Sequence, residues 1–208
     1  MRMDGERLNA PHIVFDRMAL DDEFVLDRSR AEDAAAHRRF ALDPEAARFL
    51  GWTVDQARSA PDSHYVEVVS QFIRGWDTGT RFSFAIRRVS DGEAVGTVEL
   101  RPRPADPDAD VSYLVTSELR GRGLAPRAVE AALSWAGHAL GLRQATIHCD
   151  VGNVPSRRVA EKCGFVFVGQ FGEELRFHRD LAPPRTAREH PTSVIALSWR
   201  CVELKRHF

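Results

Sequence analysis

The chain has 208 residues, of which 43% are hydrophobic and 28% charged, with a formal net charge of −1. That is the composition of a soluble globule long enough to bury a substantial core, and it carries no electrostatic footprint for nucleic acid or an anionic membrane. Cys149, Cys163 and Cys201 are widely spaced, the histidines show no metal-ligand spacing, and no apolar run has signal or transmembrane length, so the expectation is a cytoplasmic protein with reduced thiols, no metal and no membrane.

Residues 1 to about 11 are polar and expected to be loose. Phe24-Val25-Leu26 reads as a first strand. Ser29 and Glu32 have the spacing of a capping box, which predicts a helix through Ala41. Asp43-Pro44 is a second cap, starting a short helix toward Leu50. Another helix is predicted from His64 to Trp76. Phe82, Phe84 and Ile86 then alternate with Arg81, Ser83 and Arg87, the period of a strand. Asp91-Gly92 marks a hairpin turn, and Ala94 to Leu100 forms the return strand. A strand over Val111 to Val115 feeds a glycine-containing turn. Beyond it, Val129, Ala132, Leu133, Ala136 and Leu140 lay one apolar stripe along a helix. Ala145 to Cys149 is a short buried strand, followed by a helix through Cys163 that Gly164 is placed to end in the left-handed conformation. Phe165 to Val168 begins another strand. A loop from Leu181 to Pro191 leads to a last strand near Ser193 to Val202. No repeat or clear boundary divides the chain, so one domain over 1–208, with a core of about 20–204, is expected.

The turn Arg120-Gly121-Arg122-Gly123-Leu124-Ala125 has the features of an anion cradle. The two glycines reach backbone conformations closed to other residues and let a phosphate approach closely. The N–H groups of the first helical turn then face that phosphate, with Arg120 and Arg122 as countercharge. A P-loop would continue with Lys and Ser or Thr, where Leu124 and Ala125 stand, and a dinucleotide fingerprint needs a third glycine.

Arg120-x-x-Gly123-x-Ala125 resembles the pyrophosphate loop of the GNAT superfamily, the acetyl-CoA-dependent N-acetyltransferases. Asn153-x-x-Ser156, followed by Glu161-Lys162-Cys163-Gly164-Phe165, resembles the second signature of that family, in the right order and one helix and one strand later. The resemblance covers roughly residues 20–204. It implies an α/β (α+β) fold with a mixed, mostly antiparallel sheet of about seven strands, flanked by helices and splayed around a CoA site. It implies acetyl-CoA as cosubstrate, with Leu114, Val115 and Thr116 at the strand before the loop, Arg120, Gly121, Arg122, Gly123, Leu124 and Ala125 at the pyrophosphate, and Asn153 at the pantetheine arm.

Phe24 to Arg28, Ala31 to Ala34 and Arg48 to Trp52 are similar to the branch containing the ribosomal-protein N-terminal acetyltransferases. So is Ser112-Tyr113-Leu114-Val115, although Ser112 and Val115 depart from the usual Gly-Tyr-Trp-Leu. The branch implies a primary amine as acceptor, either a small amine or a protein N-terminus, handled by a monomer or homodimer. Trp52, His64, Tyr65 and Trp76 in the 43–80 insert read either as the rim of an acceptor pocket or as core packing.

Acyl transfer from a thioester to an amine needs a neutral amine, a donor for the carbonyl oxygen and a proton for the leaving thiolate. Many family members supply that proton from a Tyr seven positions after the Asn; here the position holds Ala160. The branch offers a hydroxyl at Ser156 instead, which makes Ser156 the candidate acid; otherwise it is an ordinary helix-start serine. Glu99, on a central strand, is the candidate base, with Asp110 and Glu118 as alternatives and prior loss of the proton to water as a fourth. Two classes remain open: a working acetyltransferase, or an acyl-CoA-binding sensor or interaction module that lost turnover along with that Tyr.

Overall fold

The computed structural model describes residues 13, 15–103 and 106–181. In chain order they form β1 (Met18–Ala19), β2 (Phe24–Arg28), α1 (Ala34–Ala41), α2 (Pro44–Leu50), α3 (Val54–Ser59), α4 (Asp62–Thr78), β3 (Phe82–Arg88), β4 (Ala94–Pro102), β5 (Asp108–Val115), α5 (Leu124–Ala139), β6 (Gln144–Asp150), α6 (Val154–Lys162), β7 (Val166–Phe171) and β8 (Glu174–Asp180). The strands make one 8-stranded sheet in the order β1-β2-β3-β4-β5-β6-β8-β7. Only β5 and β6 run parallel, joined by the α5 crossover. Their pairing ends at Val111↔Ile147, although β5 continues to Val115 and β6 to Asp150. The two strands therefore part, and an opening forms in mid-sheet.

One face of the sheet packs on α5. Phe82, Phe84, Ile86, Val98 and Leu100 meet Val129, Ala132, Leu133 and Ala136, all buried in one cluster. Trp76 stands at its centre, with ring centroids 5.0 Å from Phe82, 5.1 Å from Phe84 and 5.3 Å from Trp135. On the opposite face Ala36 and Phe40 of α1 pack on Ala85 and Ala94. The central strands are thus covered on both sides. Ser83 and Arg87 are buried, and Arg87 makes two hydrogen bonds to Asp33, at 2.8 and 2.9 Å.

One expectation about the first helix is corrected. Ser29 does not cap the first helix: its hydroxyl donates to the Ser83 carbonyl at 3.2 Å. The N-cap is Arg30, whose backbone N–H takes the Asp33 carboxylate at 2.7 Å, and the helix opens as a 3-10 turn over Ala31–Asp33. The sheet is mixed and mostly antiparallel as expected, with eight strands for the expected count of about seven; the outermost, β1, is two residues long. β7 returns through Gly172, at φ 66°, straight into β8. The expected strand at 193–202, the loop beyond Leu181 and the loose residues 1–11 lie outside the described residues.

The aromatics of the 43–80 insert serve packing. The Trp76 indole N–H donates to the Ser83 carbonyl at 2.9 Å, the Tyr65 hydroxyl to Ala57 O at 2.7 Å, and the Trp52 N–H to Ala41 O at 3.0 Å. His64 is exposed and edge-on to Tyr65. Asp43 behaves as expected: one carboxylate oxygen accepts the N–H groups of Glu45 and Ala46 and starts α2. Among the described residues no helix is long and apolar enough to cross a membrane.

Candidate active site

The parting of β5 and β6 opens a cavity of about 570 Å³, within the range of small-molecule and cofactor sites. Its walls are the ends of both strands, the start of α5, α6, and Ala46, Phe49 and Leu50 of α2. Leu114, Val115, Arg120, Gly121, Gly123, Leu124, Ala125, Asn153 and Ser156 all line it. Thr116, Arg122 and Glu99 do not.

The loop has the backbone its glycines predict. Gly121 stands at φ 77° and Gly123 at φ 74°. Gly123 is the N-cap of α5, and no side chain caps that helix. Pro126 in the first turn has no N–H, so the N–H groups of Leu124 and Ala125 are left as donors at the positive end of a 16-residue helix. A Cβ on Gly121 would meet nothing within 4 Å. The glycine is needed there for its conformation and for what approaches it, not for protein packing.

The Arg120 side chain, which lines the cavity, is also held by protein groups. Its Nε donates to Val115 O at 3.1 Å, one terminal nitrogen to Glu45 at 2.6 Å and the other to Asp43 at 2.7 Å. Arg120 thus ties the loop to the start of α2. Arg122 is exposed. The Thr116 N–H is held by Val95 O at 2.9 Å, and its residue anchors β5 at its end.

Beneath Leu114 and Val115 lies Gly96 of β4, where a Cβ would sit 2.5 Å from the Leu114 carbonyl. That close approach fixes the segment from which the family takes its donor for the carbonyl oxygen.

Asn153 caps α6, its side-chain oxygen accepting the Ser156 N–H at 3.1 Å. This leaves the Asn153 amide NH₂ free to donate. The Ser156 hydroxyl is not a cap. It lies 2.8 Å from the Tyr113 hydroxyl, which also donates to the Ser156 carbonyl at 3.0 Å. Burial pushes the Tyr113 phenol well above its ordinary value, and the hydrogen bond to Ser156 offsets this only in part. Tyr113 therefore stays protonated. Burial likewise raises the Cys149 thiol, which also lines the cavity. At position 160 the family's Tyr gives way to a fully buried Ala.

Glu99 stands on the other side of β4. It accepts from the Ser83 hydroxyl at 3.0 Å, lies 3.6 Å from Arg81 and pairs with Arg101. Asp110 pairs with Arg103 at 2.5 Å and with His148 at 3.3 Å, and Glu118 is exposed in the 3-10 turn Ser117–Leu119. Sequence reasoning passed over Tyr113 and His148 as site residues. The signal for His148 was present: with Ile147 and Cys149 turned to the core, strand alternation turns His148 to the other face.

The family model described as Acetyltransferase (GNAT) domain matches residues 23–166. No curated protein matches the chain. Similar solved structures include RimL, a ribosomal L7/L12 alpha-N-protein acetyltransferase, in complex with coenzyme A, at 17% identity and TM-score 0.70 over 80% of this chain and 98% of that one. The Salmonella typhimurium acetyl transferase that modifies the N-terminal serine of 50S subunit protein L7/L12 shares 16% identity, TM-score 0.68, over 80% and 100%. Mycobacterium smegmatis RimJ in complex with CoA-disulfide shares 23% identity, TM-score 0.62, over 76% and 81%. At these identities the likeness is one of fold.

Proposed function

The chain belongs to the GNAT acetyltransferase family, and we propose that it transfers an acetyl group from acetyl-CoA to a primary amine, a small amine or a protein N-terminus, by direct attack on the thioester. The observation that carries this reading is the uncapped start of α5 opening on the same cavity wall as the Ser156–Tyr113 hydroxyl pair. The loop N–H groups suit a pyrophosphate, and the unpaired edges of β5 and β6 suit the amides of a pantetheine arm. The chain's own groups then divide the work. The strand end at Leu114 and Val115 offers N–H groups to the carbonyl oxygen as it gains charge. Ser156 protonates the departing sulfur. As its proton leaves, the Tyr113 O–H swings from the Ser156 carbonyl to the Ser156 oxygen and stabilises it.

Among the described residues the mixed charges around the cavity include no acidic run of the kind a polycation needs, so we read the acceptor as one amine in a confined pocket. That the neighbours include enzymes acting on ribosomal-protein N-termini supports a protein N-terminus as one such amine. The cytoplasm supplies acetyl-CoA and is the compartment this reading takes. Ala160 favours the second reading, a binder without turnover; the Ser156–Tyr113 pair favours the enzyme.

Release of free thiol from acetyl-CoA with a panel of amines, N-terminal peptides and Lys-rich peptides tests both. Thiol release with a small amine or an N-terminal peptide is expected. CoA binding without release from any acceptor makes the protein a sensor, and acetylation of Lys-rich peptides alone overturns the confined pocket.

A further inference from the structure

We propose that His148 takes the proton from the acceptor ammonium, with Glu174 as its positioning residue; this rests on the acetyl-transfer reading. His148 is the first residue of β6 beyond the last β5–β6 pair, and it lines the cavity. Ile147 and Cys149 on either side are buried in the core on the α5 face, as is Tyr113's ring in part. His148 therefore stands on the opposite face, with Asp110 of β5 and Glu174 of β8. The cavity has a proton donor on one side, at Ser156 and Tyr113, and a proton acceptor on the other. A direct displacement needs that arrangement, since the amine arrives on one side of the carbonyl carbon and the sulfur leaves from another.

The geometry at the ring favours the role. Nδ1 lies 2.7 Å from a Glu174 carboxylate oxygen, so its N–H is held there and the Nε2 lone pair is left as the base. Asp110, 3.3 Å from Nε2, stabilises the imidazolium that forms. The other charged groups around the ring are Arg103, which pairs with Asp110, Arg176 beside Glu174 on β8, and Asp150 on β6 itself. Across the cavity stand Glu45 of α2 and Arg158 and Lys162 of α6. Glu99 lies outside the cavity lining, between Arg81 and Arg101.

The proton count closes. One ammonium proton passes to Nε2, and the freed lone pair forms the C–N bond. The C–S bond breaks, and the sulfur takes a proton from Ser156. The second amine proton, released as the amide forms, returns through water to the Ser156 oxygen, and the imidazolium gives its own proton to bulk water, so one proton leaves the enzyme per turnover.

The test compares the parent with His148→Gln, His148→Ala, Glu174→Gln and Glu99→Gln. CoA affinity is measured by calorimetry, and kcat/KM for an amine the parent acetylates is measured across about pH 6 to 9. His148→Gln is expected to keep CoA affinity, which also shows that it folds, and to lose on the order of 10²-fold in kcat/KM near neutrality. Its rate then climbs with pH without the parent's plateau. Added imidazole restores part of the activity of His148→Ala. Glu174→Gln loosens the hold on Nδ1, and its loss is expected to be smaller and to fall on kcat with KM for the amine little changed. A parental profile in His148→Gln, or the loss falling on Glu99→Gln instead, overturns the proposal while the acetyl-transfer reading stands. A parent that releases thiol with no amine overturns both.

Discussion

The hydroxyls of Tyr113 and Ser156 are 43 residues apart in the chain and 2.8 Å apart in the cavity wall. α6 carries no phenol at position 160, yet one reaches the same region from β5 across the opening. If Ser156 protonates the leaving thiolate, Ser156→Ala is expected to lower kcat on the order of 10²-fold. Tyr113→Phe removes one hydrogen bond to the Ser156 oxygen and is expected to lower kcat about tenfold, near the upper end of a net hydrogen-bond contribution. Because the phenol acts through the serine, the double variant is expected to fall no further than Ser156→Ala alone. Steady-state kinetics on the three variants decides it; fully multiplicative losses would mean that the hydroxyls act independently.

The phosphate loop makes a second prediction. At Gly123, φ 74° strains any side chain, by about 1–2 kcal/mol for an L-residue. The nearest atom to a Cβ there is Arg127 Nη1 at 3.9 Å, so the protein itself has room. Gly123→Val is therefore expected to fold, with lowered stability, while its branched side chain occupies the space the pyrophosphate needs. Calorimetry should find no CoA binding. Parental affinity in that variant would move the pyrophosphate elsewhere.

How legible the site was depended on the range of the contacts that build it. The Asp43 cap, the glycine conformations and the α6 start are set within a few residues, and they stand where local chemistry puts them. The ion pairs of Arg120 are not visible locally, because their partners Asp43 and Glu45 stand 77 and 75 residues away. Ser29 lost its cap for a similar reason, since β3 presented the Ser83 carbonyl to its hydroxyl and Asp33 took over the turn. β8 shows the period of two in Leu175, Phe177 and their polar neighbours, but the more apolar run at 193–202 drew the strand assignment. The burial of Arg87 could not be read from alternation, because alternation cannot say that α1 covers the second face.

That buried pair yields a stability prediction. Arg87 and Asp33 side chains are 4% and 3% exposed, and the arginine also donates to the carbonyls of Gly92 and Arg28. Asp33→Ala removes both hydrogen bonds to the guanidinium and leaves it only Asp27, 3.5 Å from its Nε, which is expected to destabilise the fold by about 2–3 kcal/mol. Replacing both partners with apolar residues of similar volume is expected to recover much of the loss. Urea unfolding of the single and double variants measures each, and a single variant within about 1 kcal/mol of the parent would show that water reaches Arg87.

His37 gives the protein a built-in acid sensitivity. Its ring packs against Phe40 and Phe72, with centroids 5.4 and 5.1 Å away. Burial lowers its pKa, and the negative charges of Asp33 and Glu99 only partly oppose that shift. The folded state thus holds the imidazole neutral to lower pH than the unfolded chain does. Below the ordinary histidine value of about 6.5, the unfolded state binds more protons, so stability falls as pH falls. The loss begins at that value and is complete once the folded pKa is passed; above it, His37 contributes no pH dependence. The melting temperature of the parent is expected to drop through this window, and that of His37→Leu to drop less, because its apolar side chain takes up no proton. Thermal melts of both proteins between about pH 5 and 8 provide the check. Parallel curves would assign the acid sensitivity to another group.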